Sequence, residues 1–357
     1  SSTCYNTLNY VTERFFNRFC KKKTEHFEDI DYIEAKYMKL CYNSGLMYMS
    51  EKYKDKNLKE KNIEYTESFG YDMKACYQQN FTEITIPSKK GTEQQIKYLD
   101  YKKLKHGYYN VSITTSDKEG NLIKNSKINK LFSFSADNWY TNCQIQHARK
   151  LKNEFGIINI ELVINEDKPN CYLYEKKDLV RGGDIFYLWN LKLLKLKEKY
   201  PKNKLVKYMG SYLWGILTKR NIVRKTLEQI KDENINFENG DYEFHEQYYD
   251  KEGNIKYIEM INKKQPYKHK MRIMPHLTSL GRIKTSKIVM KDLKHAFRIQ
   301  TDNVTFMKEH KELESANLKL EGKTTGKIKW ISLNRCYHKC EKCNNFYDYD
   351  EGCNCEE

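Results

Sequence analysis

Phe297-Arg298-Ile299-Gln300-Thr301-Asp302-Asn303-Val304-Thr305-Phe306 alternates apolar and polar residues on either side of a polar tip. Phe297 and Ile299 lead into Gln300 to Asn303, and Val304 and Phe306 lead out, which is the pattern of strand, tight turn, strand. The turn exposes one carboxylate, Asp302. Far upstream, Ser68-Phe69-Gly70-Tyr71-Asp72 reads as another strand, ending on Asp72. Two distant carboxylates, each at a strand end, suit a shared metal pair. Two-metal phosphoryl transfer asks for oxygen ligands around two Mg²⁺ ions about 3.5–4 Å apart. Taken alone, an Asp at a hairpin tip is a turn former. A third segment, Lys207-Tyr208-Met209-Gly210-Ser211-Tyr212-Leu213-Trp214-Gly215, lies between the two on a basic helix and gives the trio its order.

The totals frame this reading. A chain of 357 residues holds two domains or one large elaborated one. Its 64 Lys and Arg against 48 Asp and Glu give a net charge of +16, which favours a polyanionic partner. An AT-rich coding style, which inflates Lys, Asn, Tyr and Ile, explains the same balance without any ligand. The 29 Tyr offer stacking surfaces for bases without locating them. No apolar run reaches the ~18 residues of a membrane span. The N-terminus, Ser1-Ser2-Thr3-Cys4, has neither an initiator Met nor a signal-peptide pattern, as expected of a processed piece or a fragment. The 11 Cys are an odd number without a secretion signal, which argues for reduced thiols and a cytosol-like compartment.

Along the chain, residues 1–60 read as helical and basic, with a second helix over Glu25 to Tyr42 and a turn at Tyr42-Asn43-Ser44-Gly45. Residues 83–135 read as short strands. Asp117-Lys118-Glu119-Gly120-Asn121 and Asp250-Lys251-Glu252-Gly253-Asn254 repeat the same five letters, and both read as hairpin tips with Gly at positive φ. Residues 139–153 read as helix and Ile157 to Ile164 as an apolar strand. Two basic helices, 184–199 and 203–220, meet at Tyr200-Pro201-Lys202-Asn203, where Pro201 forces the break. A further basic helix, 275–295, feeds the Asp302 hairpin.

The ordered trio resembles motifs A, B and C of the family B DNA polymerases, in the divergent viral and plasmid branch that includes protein-primed enzymes. The family's motif A, Asp-x-x-Ser-Leu-Tyr-Pro, stands here as Asp72-Met73-Lys74-Ala75-Cys76-Tyr77-Gln78. Motif B, Lys-x-x-x-Asn-Ser-Leu-Tyr-Gly, stands as Lys207 followed by Ser211-Tyr212-Leu213-Trp214-Gly215. Motif C, Asp-Thr-Asp-Ser, stands as Gln300-Thr301-Asp302-Asn303. Tyr42-Asn43-Ser44-Gly45 resembles the Tyr-x-Gly-Gly element before motif A, and Thr325 to Trp330 resembles a Gly-containing segment after motif C. Gln300 replaces the first Asp of motif C, and Ser211-Tyr212 replaces the Asn-Ser pair of motif B.

The resemblance implies an α+β right-hand polymerase: a palm with an antiparallel sheet, helical fingers, a reduced or missing thumb and a Cys-rich appendix. It divides the chain into an N-terminal helical region (1–66), palm with a strand-rich insertion (67–180), fingers (181–225), palm (226–330) and a Cys-rich tail (331–357). It makes Asp72 and Asp302 the catalytic Mg²⁺ ligands, with the Met73 carbonyl completing the second metal's shell. Ala75, Cys76, Tyr77, Lys195, Lys207, Ser211, Trp214 and Gly215 would bind the nucleotide. Tyr77 would exclude a 2′-hydroxyl by shape, the two Lys would hold the triphosphate, and Trp214 with Gly215 would floor the nascent base pair. Arg272 and Arg282 flank a helix start, as surface cations that would either touch template phosphates or form surface salt bridges, and Thr301, Lys327 and Lys329 would contact DNA. Primer–template DNA and deoxynucleotides are the implied partners, with a terminal protein or other replication subunits beside them and no membrane. The stretch before Asp72 is too short for the 3′–5′ exonuclease the family usually carries.

Cys336-x3-Cys340-x2-Cys343-x9-Cys353-x-Cys355, with His338 inside, reads as a structural zinc knuckle. Its x-spaced second half leaves Cys336 or His338 in competition for the fourth ligand, and an acidic tail with free thiols is the alternative. Two other function classes stand beside the polymerase. One is a polymerase-derived, inactive nucleic-acid-binding module; the other is a two-Asp, Mg²⁺-dependent nuclease or transposase.

Overall fold

The computed structural model describes residues 2–50, 68–73, 75–116, 119, 121, 127–155, 158–238, 240–267 and 269–313, and the backbone of 318–324, 328–332, 335–339 and 346–348. At its centre lies an antiparallel sheet of five strands. These are β1 (Leu46–Met49), β2 (Ser68–Met73), β13 (Ala296–Thr301), β14 (Asn303–Phe306) and β15 (Leu318–Thr324), in the order β1-β13-β14-β2-β15. The alternation read from the sequence sets its faces: Phe69, Tyr71, Ile299, Val304 and Phe306 are all buried. Helix α8 (Ile273–Val289) packs against β1, β13 and β14, and α4 (Asn142–Phe155) packs against α8. No helix among the described residues is long and apolar enough to cross a membrane.

A helical layer adjoins this sheet. It comprises α1 (Ser2–Thr24), α2 (Tyr32–Cys41), α3 (Cys76–Glu83), α5 (Gly182–Lys199) and α6 (Lys204–Leu217). Aromatic rings lock it together: Phe81 stacks on Phe186 at 4.6 Å, and Trp189 meets Phe81 edge-on at 5.8 Å. The second helix begins at Tyr32, later than read, because Asp31 caps it by accepting from the Glu34 N–H at 2.9 Å. Asn203 caps α6 by accepting from Leu205 and Val206, so the break at Pro201 carries its own helix start signal.

Between α3 and α5 the chain builds a strand-rich region. Strand β3 (Thr85–Pro87) pairs with β9 (Leu179–Arg181). Strand β5 (Gly107–Thr115) pairs with β6 (Trp139–Thr141), β7 (Ile158–Leu162) and β8 (Cys171–Leu173), and β4 (Thr92–Gln94) flanks β8. Residues 139–141, read as helix, are thus a strand. Tyr108, Tyr109 and Asn110 of β5 recruit them, and the helix starts only at Asn142. Val111 to Thr115 pair antiparallel with β7; Leu122 and Ile123, their expected hairpin partners, lie outside the described residues.

After α6 come β10 (Ile222–Lys225), the short helix α7 (Leu227–Asp232), β11 (Tyr242–Tyr249) and β12 (Ile255–Asn262), the strands forming a sheet in the order β10-β12-β11. The expected hairpin is present, with Gly253 at φ +85° and the Asp250 N–H bonded to the Asn254 carbonyl. A last sheet joins β16 (Ile328–Ser332), β17 (Arg335–Lys339) and β18 (Phe346–Asp348). Among the described residues no distinct thumb and no zinc knuckle is formed. Cys336 and His338 lie on β17 with their side chains outside the described residues, and Cys340, Cys343, Cys353 and Cys355 lie outside them altogether.

Candidate active site

The sheet order brings the two Asp residues to neighbouring strand ends. Strand β14 lies beside β2 with Asn303 opposite Asp72, so Asp302, one residue before Asn303, sits next to Asp72 at the same end of the sheet. The Met73 N–H donates to the Asp302 carbonyl at 3.1 Å, stitching the two segments. Both carboxylates are half-buried.

The backbone at this edge is strained on both sides. Among the described residues four non-Gly positions have positive φ: Ala75, Asn138, Asn234 and Thr301. Asn tolerates that conformation; Ala and the β-branched Thr do not. Ala75 (φ 52°) follows Asp72 by three residues, and Thr301 (φ 57°) immediately precedes Asp302. Such strain costs on the order of 1–3 kcal/mol per residue and persists only where surrounding structure over-determines it.

Here the surroundings do so. Thr285 of α8 donates to the Thr301 carbonyl at 2.6 Å. Gly45 lies so close that a Cβ there would stand 2.8 Å from the Thr301 Cα. The Tyr42-to-Gly45 turn is gripped by Arg282, which donates to the carbonyls of Asn43 and Ser44, each at 2.7 Å. Helix α8 therefore braces both the turn and the Asp302 hairpin. The sequence did flag the Tyr42-to-Gly45 turn, but nothing in it marked Thr285 or Arg282 as its braces.

The electrostatics of neighbouring groups follow from this edge. Burial pushes the Cys76 thiol up to about 12, with the Asp302 charge adding to it and Asp72 contributing less. Burial and then Asp302 likewise raise the Tyr77 phenol. Cys76 is thus an uncharged packing group at neutral pH. Gln300, at the place of the family pattern's first motif C carboxylate, accepts a hydrogen bond from Arg298.

Facing Tyr77 is α6. Val206, Met209, Leu213 and Leu217 form its buried stripe. Positions 207, 211, 214 and 215 recur on a different face. Trp214 stacks on Tyr77 with ring centroids 6.0 Å apart and planes 22° apart. Ser211 is exposed and donates to the Tyr208 carbonyl at 3.2 Å. A Cβ at Gly215 would meet no atom within 4 Å. Lys207 is on this helix, but its side chain lies outside the described residues. Lys195 is exposed on α5, whereas Lys197, two residues on, points inward to the Gln78 amide oxygen at 3.0 Å.

Two expected DNA contacts are corrected. Arg272 is 0% exposed, and both its Nε and Nη2 donate to the Glu34 carboxylate at 2.6 Å. Burial holds Glu34 above the usual carboxylate range even against that guanidinium. Arg282 is 4% exposed and is committed to the Asn43 and Ser44 carbonyls; burial draws it down to about 10, still charged at neutral pH. Neither side chain has surface to offer a phosphate. Thr301 is half-buried in the strained turn. Lys327 lies outside the described residues, and Lys329 is on β16 with its side chain outside them.

A second set of carboxylates lies on the β10–β12 sheet. His245, Glu246 and Glu259 bring ligand atoms within 4.8 Å of one another, a spacing a metal ion can bridge. Arg224 already donates to Glu259 at 2.7 Å, and the Tyr248 hydroxyl to Glu246 at 2.7 Å.

No protein-family model matches the sequence, and comparison with curated proteins finds no match either. Solved structures do match. Phi29 DNA polymerase in a ternary complex with primer-template DNA and incoming nucleotides aligns over 95% of this chain, at 15% identity and a TM-score of 0.62. The same polymerase with single-stranded DNA aligns over 96% of it, at 13% identity and a TM-score of 0.59. In each case the chain spans 57% of the polymerase's length. The fold is therefore α+β and similar to that of phi29 DNA polymerase, with the carboxylate edge on its palm-like sheet.

Proposed function

We propose that the chain is the catalytic core of a template-directed DNA polymerase, adding deoxynucleotides to a primer 3′-hydroxyl. The observation that carries this reading is the meeting of Asp72 and Asp302 at adjacent strand ends, on a fold similar to a DNA polymerase. An all-oxygen donor set of two carboxylates and a nearby carbonyl, Met73, suits Mg²⁺ rather than a softer metal. Bound there, two Mg²⁺ ions would lower the pKa of the attacking hydroxyl and neutralise charge on the triphosphate and leaving pyrophosphate.

The chain's own residues have the remaining work. Asp72 and Asp302 would present their oxygens to the Mg²⁺ ions, because an anionic carboxylate repels a phosphate unless a cation stands between them. Lys207 on α6 and Lys195 on α5 would attract the triphosphate as point charges. Tyr77, fixed by its stack on Trp214, supplies the wall that a ribose 2′-hydroxyl would strike. The net charge of +16 favours the DNA duplex, and binding should weaken steeply with salt.

Primer extension on a labelled primer–template with Mg²⁺ and four deoxynucleotides tests this. Templated extension is expected from the wild type and not from Asp302→Asn. Cleavage of plain DNA in place of extension would replace the polymerase with a two-Asp nuclease. DNA binding without extension would leave a nucleic-acid-binding module. Tyr77→Val is expected to admit ribonucleotides at least tenfold more readily, since a 2′-hydroxyl is then refused by nothing of its own size.

A further inference from the structure

We infer that Gln78 is a positioning residue: it sets where α6 lies over Tyr77, and through that contact how strictly the nucleotide pocket refuses a ribose. The inference rests on the polymerase reading above and deepens it. Gln78 follows Tyr77 on α3 and is 3% exposed, so its amide must find its partners inside the protein. Its oxygen accepts from Lys197 Nζ of α5 at 3.0 Å. Its nitrogen occupies space on α6 that only Gly leaves open, because a Cβ at Gly210 would stand 1.7 Å from it.

Gly210 and Trp214 are one helical turn apart. Tyr77 touches the second and Gln78 notches into the first. The opening turn of α3 thus grips two successive turns of α6, the helix that carries Lys207, Ser211, Trp214 and Gly215. The bond from the Lys197 ammonium of α5 is charge-assisted and stronger than a neutral one, so it holds the Gln78 amide in the notch that Gly210 leaves on α6, which apolar packing would not. The family's motif A carries Pro at this place, and Pro has no side-chain amide to make the link. Gln78 touches no reacting atom; it acts through the Tyr77–Trp214 gap.

The test is primer extension with deoxynucleotide and with the matching ribonucleotide, for wild type, Gln78→Ala, Gln78→Glu and Gly210→Ala. Gln78→Ala is expected to raise the deoxynucleotide KM and lower the deoxy-to-ribo preference, each about tenfold, as for displacement of a positioned group by a fraction of an ångström, with kcat nearly unchanged. Gly210→Ala, whose methyl displaces the amide, is expected to do the same. Gln78→Glu keeps an acceptor for Lys197 and is expected to restore the preference. An unchanged KM and preference in Gln78→Ala, or a Gln78→Glu variant as impaired as Gln78→Ala, overturns the inference while leaving Asp302-dependent extension, and so the polymerase reading, intact. Should Gln78→Ala not fold, Lys197→Met breaks the same link from its other end. If the wild type extends no primer, the polymerase reading falls first. Deoxy- and ribonucleotide titrations of tryptophan fluorescence then decide the inference, and equal affinities in wild type and Gln78→Ala overturn it.

Discussion

Two of the places where acidic side chains gather among the described residues differ in what holds them. At the edge of the central sheet, Asp72 and Asp302 come from segments separated by most of the chain. They are stitched by a backbone hydrogen bond and flanked by two strained residues, Ala75 and Thr301. Buried groups of α8 brace the same edge. On the β10–β12 sheet, His245, Glu246 and Glu259 sit on one hairpin; His245 and Glu246 are exposed, and Arg224 and Tyr248 engage the two Glu. The second group is closer to a ligand set by spacing alone. The first is the better candidate for chemistry, because a rigid, over-determined scaffold holds a metal pair in place and an exposed hairpin does not. Proximity of carboxylates is common; strain kept next to them is not.

The largest expected effect breaks or upholds this contrast directly. Asp302→Asn should lower extension about 10³-fold, the scale of losing a stabiliser of transition-state charge, while Glu259→Gln should leave extension rates unchanged in the same assay. Next comes the brace. Arg282→Ala should cost about 3 kcal/mol, because it strips the Asn43 and Ser44 carbonyls of a buried charged donor, measured by urea unfolding. Lys substituted there is expected to recover only part of it, since a point charge cannot serve both carbonyls as the fork does.

Two smaller effects sharpen the role of the brace. Gly45→Ala should cost about 2 kcal/mol through overpacking against Thr301, and should impair extension more than a comparable loss at the hairpin sheet. The link between α4 and α8 is pH-sensitive. His147 bonds Ser286 at 2.9 Å, and burial lowers its pKa to about 4. That value lies below the ~6.5 of an unfolded chain, so its contribution is whole above pH 6.5 and is lost as pH falls toward 4. About 2 kcal/mol should go by pH 5, read as a lower thermal midpoint, and His147→Gln should flatten that slope. The smallest effect is Ala75→Gly, where relief of the left-handed strain should offset the chain entropy of Gly to within about 1 kcal/mol. A large gain in stability without loss of extension would show that this strain is incidental.

How much of this was legible in the sequence depended on range. The Asp302 hairpin, the strand ending near Asp72, the pair α5 and α6 and the Asp250-to-Asn254 tip follow from local alternation, Pro and Gly, and the structure contains each. The alternation is consistent with the register that sets Asn303 opposite Asp72 but fixes it only to within steps of two residues. The arginines were read from their place near a helix start, as surface cations. Their partners, Glu34 and the Asn43 and Ser44 carbonyls, lie more than two hundred residues away, and no local pattern announces a buried ion pair. Residues 139–141 were drawn into a sheet by β5 against their helical surroundings. Gln78 stands where the motif has Pro, and its purpose comes only from contacts across the helical layer, with Gly210 and Lys197.

Iron-directed cleavage of the backbone tests the central claim most directly. The protein is loaded with Fe²⁺ in the presence of primer–template DNA and a deoxynucleotide, treated with ascorbate and peroxide, and its fragments are mapped. Cuts clustered at Asp72 and Asp302, suppressed by excess Mg²⁺ and absent in Asp302→Asn, are the expected result. Cuts confined to the neighbourhood of His245 and Glu259, with none at the sheet edge, would contradict it.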